Sequence, residues 1–160
     1  MNALDFNLQF NAPPGVVFLP FTPEHLGNML LAQPDLAAAT PDMLRQRILC
    51  QASSANAITV RKEGVTLGIW GSNVIWPGLE EAWFIVDEAC RAYPKSMTRV
   101  AKMWLADRFD SHGAHRVQIT TRKTDKRAYN WAKVLGFQPE GVLTNFGWDK
   151  SDYYMMAKVK

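Results

Sequence analysis

Cysteine is scarce in this chain of 160 residues: Cys50 and Cys90 are its only thiols and no Cys-x-x-Cys pair occurs, so neither a disulfide framework nor a thiolate metal site is written into it. Two buried, reduced thiols are expected. Histidine is nearly as rare, and His25, His112 and His115 show no HExxH or His-x-His spacing, which points to surface or capping roles and to no metal. Long apolar runs are missing too. Residues 15–21 and 81–86 fall well short of the roughly 20 residues a membrane helix needs, and no basic segment precedes an apolar stretch at the N-terminus, so a soluble, cytoplasmic protein without membrane partners is expected. There is no internal repeat and no low-complexity tract. What is present is an ordinary apolar fraction of 48% in a length that suits one domain.

Acidic residues are lacking in one stretch. Between positions 91 and 127 the cations Arg91, Lys95, Arg99, Lys102, Arg108, Arg116, Arg122, Lys123, Lys126 and Arg127 face only Asp107, Asp110 and Asp125, although the whole chain carries just +3. Such an excess suits a polyanion, either nucleic acid or a phosphate-bearing cofactor, or else forms a plain solvated basic face.

Residues 1–15 show little periodicity and end in Pro13-Pro14-Gly15, which reads as an irregular arm. A short strand follows at 16–19. Thr22-Pro23 and Thr40-Pro41 are two helix starts, each a capping residue followed by proline at the first helical position. The period then becomes two: Ile58 and Val60, a turn at Glu63-Gly64, then Val65, Leu67 and Ile69 predict a hairpin. After the turn at Trp76-Pro77-Gly78, residues 81–87 lack alternation, as a strand covered on both faces does. Met97, Val100, Ala101, Trp104, Leu105 and Phe109 recur at helical spacing up to Gly113. A strand at 116–121, a helix closed by Gly136, and strands near 137–143 and 153–159 complete the order. A crossover helix between the strands at 81–87 and 115–121 demands parallel neighbours, so the expected fold class is α/β, a mixed central sheet flanked by about four helices.

Residues 125–141 read Asp-Lys-Arg-Ala-Tyr-Asn-Trp-Ala-Lys-Val-Leu-Gly-Phe-Gln-Pro-Glu-Gly. This segment, in this order of elements, resembles the GNAT superfamily of N-acetyltransferases, where an Asn-x-x-Ser/Ala start, a short helix, Leu-Gly-Phe and a following Glu-Gly recur, particularly in the branch resembling ribosomal-protein N-terminal acetyltransferases. Ala128 stands at the small-residue position and Asp125 replaces the usual asparagine. The resemblance spans about residues 16–160 in element order and implies one GNAT-like domain there. Proteins of this type are also encoded by bacteriophages, and a phage origin is compatible with the sequence.

The resemblance implies transfer of an acetyl group from acetyl-CoA to an amine that attacks the thioester directly. It places the cofactor on a phosphate-binding turn after the strand at 81–87, hence near Val86, Arg91, Lys95, Ser96 and Met97, with Asp125 and Trp131 on the last helix. Pro94 and Ser96 stand where that turn usually has glycines, and proline removes one N–H donor. Two readings follow: the cations Arg91, Lys95 and Arg99 compensate at the phosphates, or the fold persists as a binding or structural module, with nucleic acid held by the basic 91–127 stretch as one form of it. Glu81, then Glu80, are the candidate bases, and Tyr129, with Tyr153 and Tyr154 as alternatives, the candidate proton donor to the thiolate. Trp76 and Trp148 fall in loops that can line an acceptor pocket or an interface. Any homodimer is expected to pair along the last strand, residues 153–159.

Overall fold

The computed structural model describes residues 13–26 and 57–160, with isolated positions between 29 and 50. The described residues form seven strands: β1 (Val16–Pro20), β2 (Ile58–Lys62), β3 (Val65–Trp76), β4 (Leu79–Val86), β5 (Arg116–Arg122), β6 (Gln138–Leu143) and β7 (Tyr153–Val159). Helix α1 (Pro94–Asp110) joins β4 to β5, α2 (Lys126–Val134) joins β5 to β6, and short 3-10 turns occupy Pro23–Leu26 and Glu88–Ala92. The strands form one mixed sheet in the order β1-β2-β3-β4-β5-β7-β6. The helix start at Thr40 lies mostly outside the described residues, although the Met43 N–H does reach Thr40 Oγ1 at 3.3 Å, the bond a capping threonine makes. Cys50 is exposed and Cys90 half-buried, so the expectation of two buried thiols is not met. Among the described residues no helix is long and apolar enough to cross a membrane.

The chain divides into two compact units, Met1–Asn73 with Phe84–Val100 and Val74–Trp83 with Ala101–Lys160. In the first, β1, β2 and β3 are antiparallel neighbours, with Val16 opposite Lys62 and Ile58 opposite Trp70. Glu63 and Gly64 both take positive φ, 50° and 82°, which makes the tight reversal the sequence signalled. Phe18, Val60, Leu67, Ile69 and Trp70 form its buried core, with Phe84 edge-on to Trp70 at 5.5 Å. Gly68 is required inside β3 because a Cβ there would stand 3.0 Å from the Ile85 carbonyl.

In the second unit β4 runs parallel to β5, β5 antiparallel to β7, and β7 antiparallel to β6. Residues opposite one another on paired strands share a face, and successive residues alternate. Glu80, Val117, Ile119, Thr121, Tyr154, Met156 and Lys158 therefore lie on one face, and Leu79, Glu81, Arg116, Gln118, Thr120, Arg122, Met155 and Ala157 on the other. Both crossovers step the same way across the sheet, so a right-handed connection puts α1 and α2 on the same face. Their contacts agree: Arg108 of α1 bonds Glu80, Lys158 Nζ donates to the Leu135 carbonyl at 3.0 Å, and Tyr129 packs on Tyr154 at 5.0 Å. Strand β7 has both edges occupied, by β5 and β6, so a second copy has no open edge there. The expected pairing along the last strand is corrected by this: sequence order put β7 last, but the sheet places it inside.

Gly78, with φ of 84°, turns β3 into β4, and its carbonyl accepts from the N–H groups of His115 and Arg116 at 2.8 and 3.1 Å. A Cβ at this position would sit 2.2 Å from His115 Nδ1. Gly78→Ala is expected to destabilise the fold by about 1–2 kcal/mol for the left-handed backbone, plus the clash. Thermal unfolding would show the clash portion returning when His115→Ala is added, while the backbone portion stays.

Candidate active site

The turn that leads into α1 is compact. Asp87 accepts from the Ala89 N–H at 2.7 Å, and the Cys90 and Tyr93 N–H groups donate to the carbonyls of Asp87 and Cys90, each at 3.0 Å. These donors are consumed within the chain, unlike those of an open glycine loop. Val86 gives its carbonyl to the Ala32 N–H at 2.9 Å, and Arg91 is paired with Glu88 at 2.7 Å. Met97 is buried, and its N–H donates to the Tyr93 carbonyl at 3.0 Å, so neither its side chain nor its N–H is available to a ligand. Pro94 has no N–H. The first turn of α1 thus keeps the N–H groups of Lys95 and Ser96, with the exposed side chains of Lys95 and Arg99 on the same helix.

In the second unit the adjacent carboxylates of β4 have opposite fates. Glu80 is 3% exposed and receives two bonds of 2.8 Å from Arg108, through Nε and the Nη2 group. This is a buried, bidentate ion pair between strand and helix. Glu81 points to the other face, half-buried, opposite Gln118 of β5. Every other carboxylate of the unit is engaged: Asp107 by His112, Asp110 by Lys160, Asp125 by the Ala128 N–H, Glu140 by Arg116, Asp149 by Arg122 and Asp152 by the Asn145 N–H. Among the described residues Glu81 is the one without a polar partner. It also stands at the last rung of the β4–β5 ladder, which covers Leu79–Glu81 and Arg116–Gln118 only, so Ala82, Trp83 and residues 119–122 continue outside that ladder.

Helix α2 places the remaining candidates. Asp125 caps it, accepting from the Ala128 N–H at 3.0 Å. Tyr129 is half-buried against Tyr154, with the Lys133 ammonium 5.9 Å from its ring centre, and Trp131 is half-buried. Tyr153 is buried under Phe146 at 5.2 Å. The loop from β6 to β7 is tied down by Arg122 to Asp149 at 2.7 Å and by the Ser151 hydroxyl donating to Asp149 at 2.6 Å, while Trp148 stays 50% exposed.

Four of the ten cations of the 91–127 stretch are neutralised by partners outside it: Arg91 by Glu88, Arg108 by Glu80, Arg116 by Glu140 and Arg122 by Asp149. The basic excess is smaller in space than along the chain. Arg116 holds the Glu140 carboxyl below its ordinary range by hydrogen bonding and charge. The Ser151 hydroxyl, with Arg122 second, pulls Asp149 down to about 2. A carboxylate depressed on folding adds stability above its unfolded value and loses it as pH falls through the folded one. The β6–β7 loop is therefore expected to loosen between pH of about 4 and about 2. Trp148 fluorescence would follow this transition, and Asp149→Asn would abolish its acid dependence.

Comparison with solved structures decides the fold. Ard1 from Thermoplasma volcanium is 18% identical, with a TM-score of 0.70 over 91% of this chain and 97% of that one. The chain has the GNAT acetyltransferase fold. RimL, a ribosomal alpha-N-protein acetyltransferase solved with coenzyme A, is 13% identical with a TM-score of 0.70, covering 94% of this chain and 97% of its own. A chimeric spermidine N-acetyltransferase SpeG from Vibrio cholerae is 14% identical with a TM-score of 0.70, covering 91% and 95%. No protein-family profile matches the sequence, and no curated protein matches it either. The turn before α1 differs from the glycine turn that the resemblance led one to expect, because Asp87 and the 3-10 turn take up its donors. Sequence reading missed Arg108 as the partner of Glu80. Arg108 was detectable, since it continues the apolar stripe of α1 four residues after Trp104 and seven after Ala101.

Proposed function

We propose that residues 16–160 are an N-acetyltransferase domain that moves an acetyl group from acetyl-CoA to an amine. The carboxylate of Glu81, the one in its unit without a polar partner among the described residues and placed where the β4–β5 ladder ends, supports this reading. Glu81 takes a proton from the ammonium, directly or through one water, so that the neutral amine can attack. Acetyl-CoA supplies the activated thioester. The main-chain groups past Glu81 and Gln118 suit a ligand whose extended arm carries amides, as the pantetheine arm does. In this reading Tyr129, on the face opposite Glu81, returns a proton to the departing thiolate, so that the amine enters from one side and the thiol leaves by the other. Within the first unit, the N–H groups of Lys95 and Ser96 and the side chains of Lys95 and Arg99 are of the kind that suits phosphates.

Thermal unfolding with acetyl-CoA tests this. At about 100 times its dissociation constant the cofactor is expected to add about 2.7 kcal/mol, and Lys95→Ala with Arg99→Ala is expected to remove most of that gain without changing the free protein. No shift at millimolar cofactor would overturn the proposal in favour of a module without catalysis. Salt-dependent polynucleotide binding by the exposed Lys95, Arg99, Lys102, Lys123, Lys126 and Arg127 would then identify the ligand.

A further inference from the structure

We infer that Glu140 is a positioning residue for Glu81: it engages the Arg116 guanidinium, which would otherwise turn to Glu81 and neutralise the carboxylate that the proposed reaction needs. This rests on Glu81 being the base. The β4–β5 ladder puts the arginine and the base on one face of the sheet. Glu81 stands opposite Gln118, and Arg116, two residues before Gln118, stands opposite Leu79 on that same face. With strands about 4.8 Å apart and two steps of about 3.3 Å along the strand, the Arg116 and Glu81 Cα atoms lie roughly 8 Å apart, a diagonal that an arginine side chain can span. A carboxylate without another partner at that distance is the natural acceptor for a guanidinium.

The fold sends Arg116 elsewhere. Its Nη1 and Nη2 groups donate to the two oxygens of Glu140 at 2.9 and 2.5 Å, and its Nε donates to Gln118 Oε1 at 3.2 Å, so every nitrogen of the fork is occupied. To reach β6 from β5 the side chain crosses β7, where Ala157 lies opposite both Gln118 and Gln138 and carries only a methyl group. In β6, Pro139 pairs with Met156 and Gly141 with Met155, which makes Glu140 the extra residue of a bulge, a device by which a strand re-aims a side chain. One guanidinium thus stands between two carboxylates, and the bulge decides the competition by offering both oxygens of Glu140 to the fork. Hydrogen bonding and charge from Arg116 draw the Glu140 carboxyl below its ordinary range, so the hold persists into acid.

The test uses Glu140→Ala. Both partners of the pair are partly exposed, so it holds little stability and the variant should unfold close to the wild type. In the free protein the Arg116 Nε–H signal is followed by NMR. Glu81→Gln is expected to shift that signal several times further in the Glu140→Ala background than in the wild type, because only there does Arg116 bond Glu81. Equal shifts in both backgrounds would overturn the inference. With acetyl-CoA and propylamine as the probe acceptor, Glu140→Ala is expected to lower kcat/KM by about tenfold, because a neighbouring cation weakens a base. Adding Arg116→Met should restore most of that rate, which a merely structural role of Glu140 would not allow. A loss that Arg116→Met does not reverse would also overturn the inference. The NMR difference with an unchanged rate would instead leave the contact of Arg116 with Glu81 standing and overturn Glu81 as the base.

Discussion

Replacing Glu80 by glutamine is expected to destabilise the protein by about 3–5 kcal/mol, because it strands the Arg108 guanidinium in the interior. The carboxylate is 4% exposed and the guanidinium 6% by side chain, and two bonds of 2.8 Å hold them in one plane. Breaking such a pair leaves a buried charge uncompensated, whereas removing both partners removes the burden together. Arg108→Met in the Glu80→Gln background should therefore recover much of the loss. At roughly 2–4 °C per kcal/mol for a chain of this size, the single variant should unfold about 10 °C lower. A single variant as stable as the wild type would mean that water reaches the pair and screens it. The Arg108 guanidinium also lies 6.0 Å from the Trp104 ring centre, so Arg108→Lys, which loses both the fork geometry and the stacking, should not rescue.

One residue further along β4 the expected effect moves from stability to rate. Glu81→Gln should lower kcat by about 10²–10⁴, the usual contribution of a positioned base, while thermal unfolding barely changes, since among the described residues Glu81 has no polar partner to lose. The residual rate should rise with pH, because free amine formed in solution no longer needs the carboxylate, and this pH profile separates a lost base from a damaged site. A variant with full activity would move the role of base elsewhere. Glu80→Gln and Glu81→Gln are thus a matched pair: neighbouring carboxylates, one expected to cost folding and the other chemistry, because alternation along a strand sends them to opposite faces.

How much of this was legible beforehand differs by element. The hairpin at Glu63-Gly64, the parallel step from β4 to β5 and the end of α2 at Gly136 follow from local chemistry: positive φ at a turn, a crossover that only parallel strands need, and a glycine, φ 98°, that closes a helix. The two glutamates were legible as candidates but not as different. Choosing between them needs the register of β4 against β5 and the face on which α1 lies, and both depend on residues far along the chain. Arg108 was counted in a basic stretch that suited either a polyanion or a solvated face, because its partner lies 28 positions away. The same holds for Arg116 and Arg122, whose acids are 24 and 27 positions off. A window of sequence counts charges along the chain, while Coulomb energy counts them across a few ångströms.

The sequence by itself determined the order of elements and the resemblance to the GNAT superfamily, because periodicity, caps and turn residues act over a few positions and need no knowledge of the rest. Tertiary structure alone decided which carboxylate is buried and which is free, that β7 is an inner strand with no edge to offer a second copy, and that the turn before α1 spends its N–H groups on Asp87 and its own carbonyls. The physical reason is the same in each case: these outcomes are set by which distant groups meet, and hydrogen bonds and ion pairs form or fail within about 3–4 Å, a distance that separation along the chain does not specify.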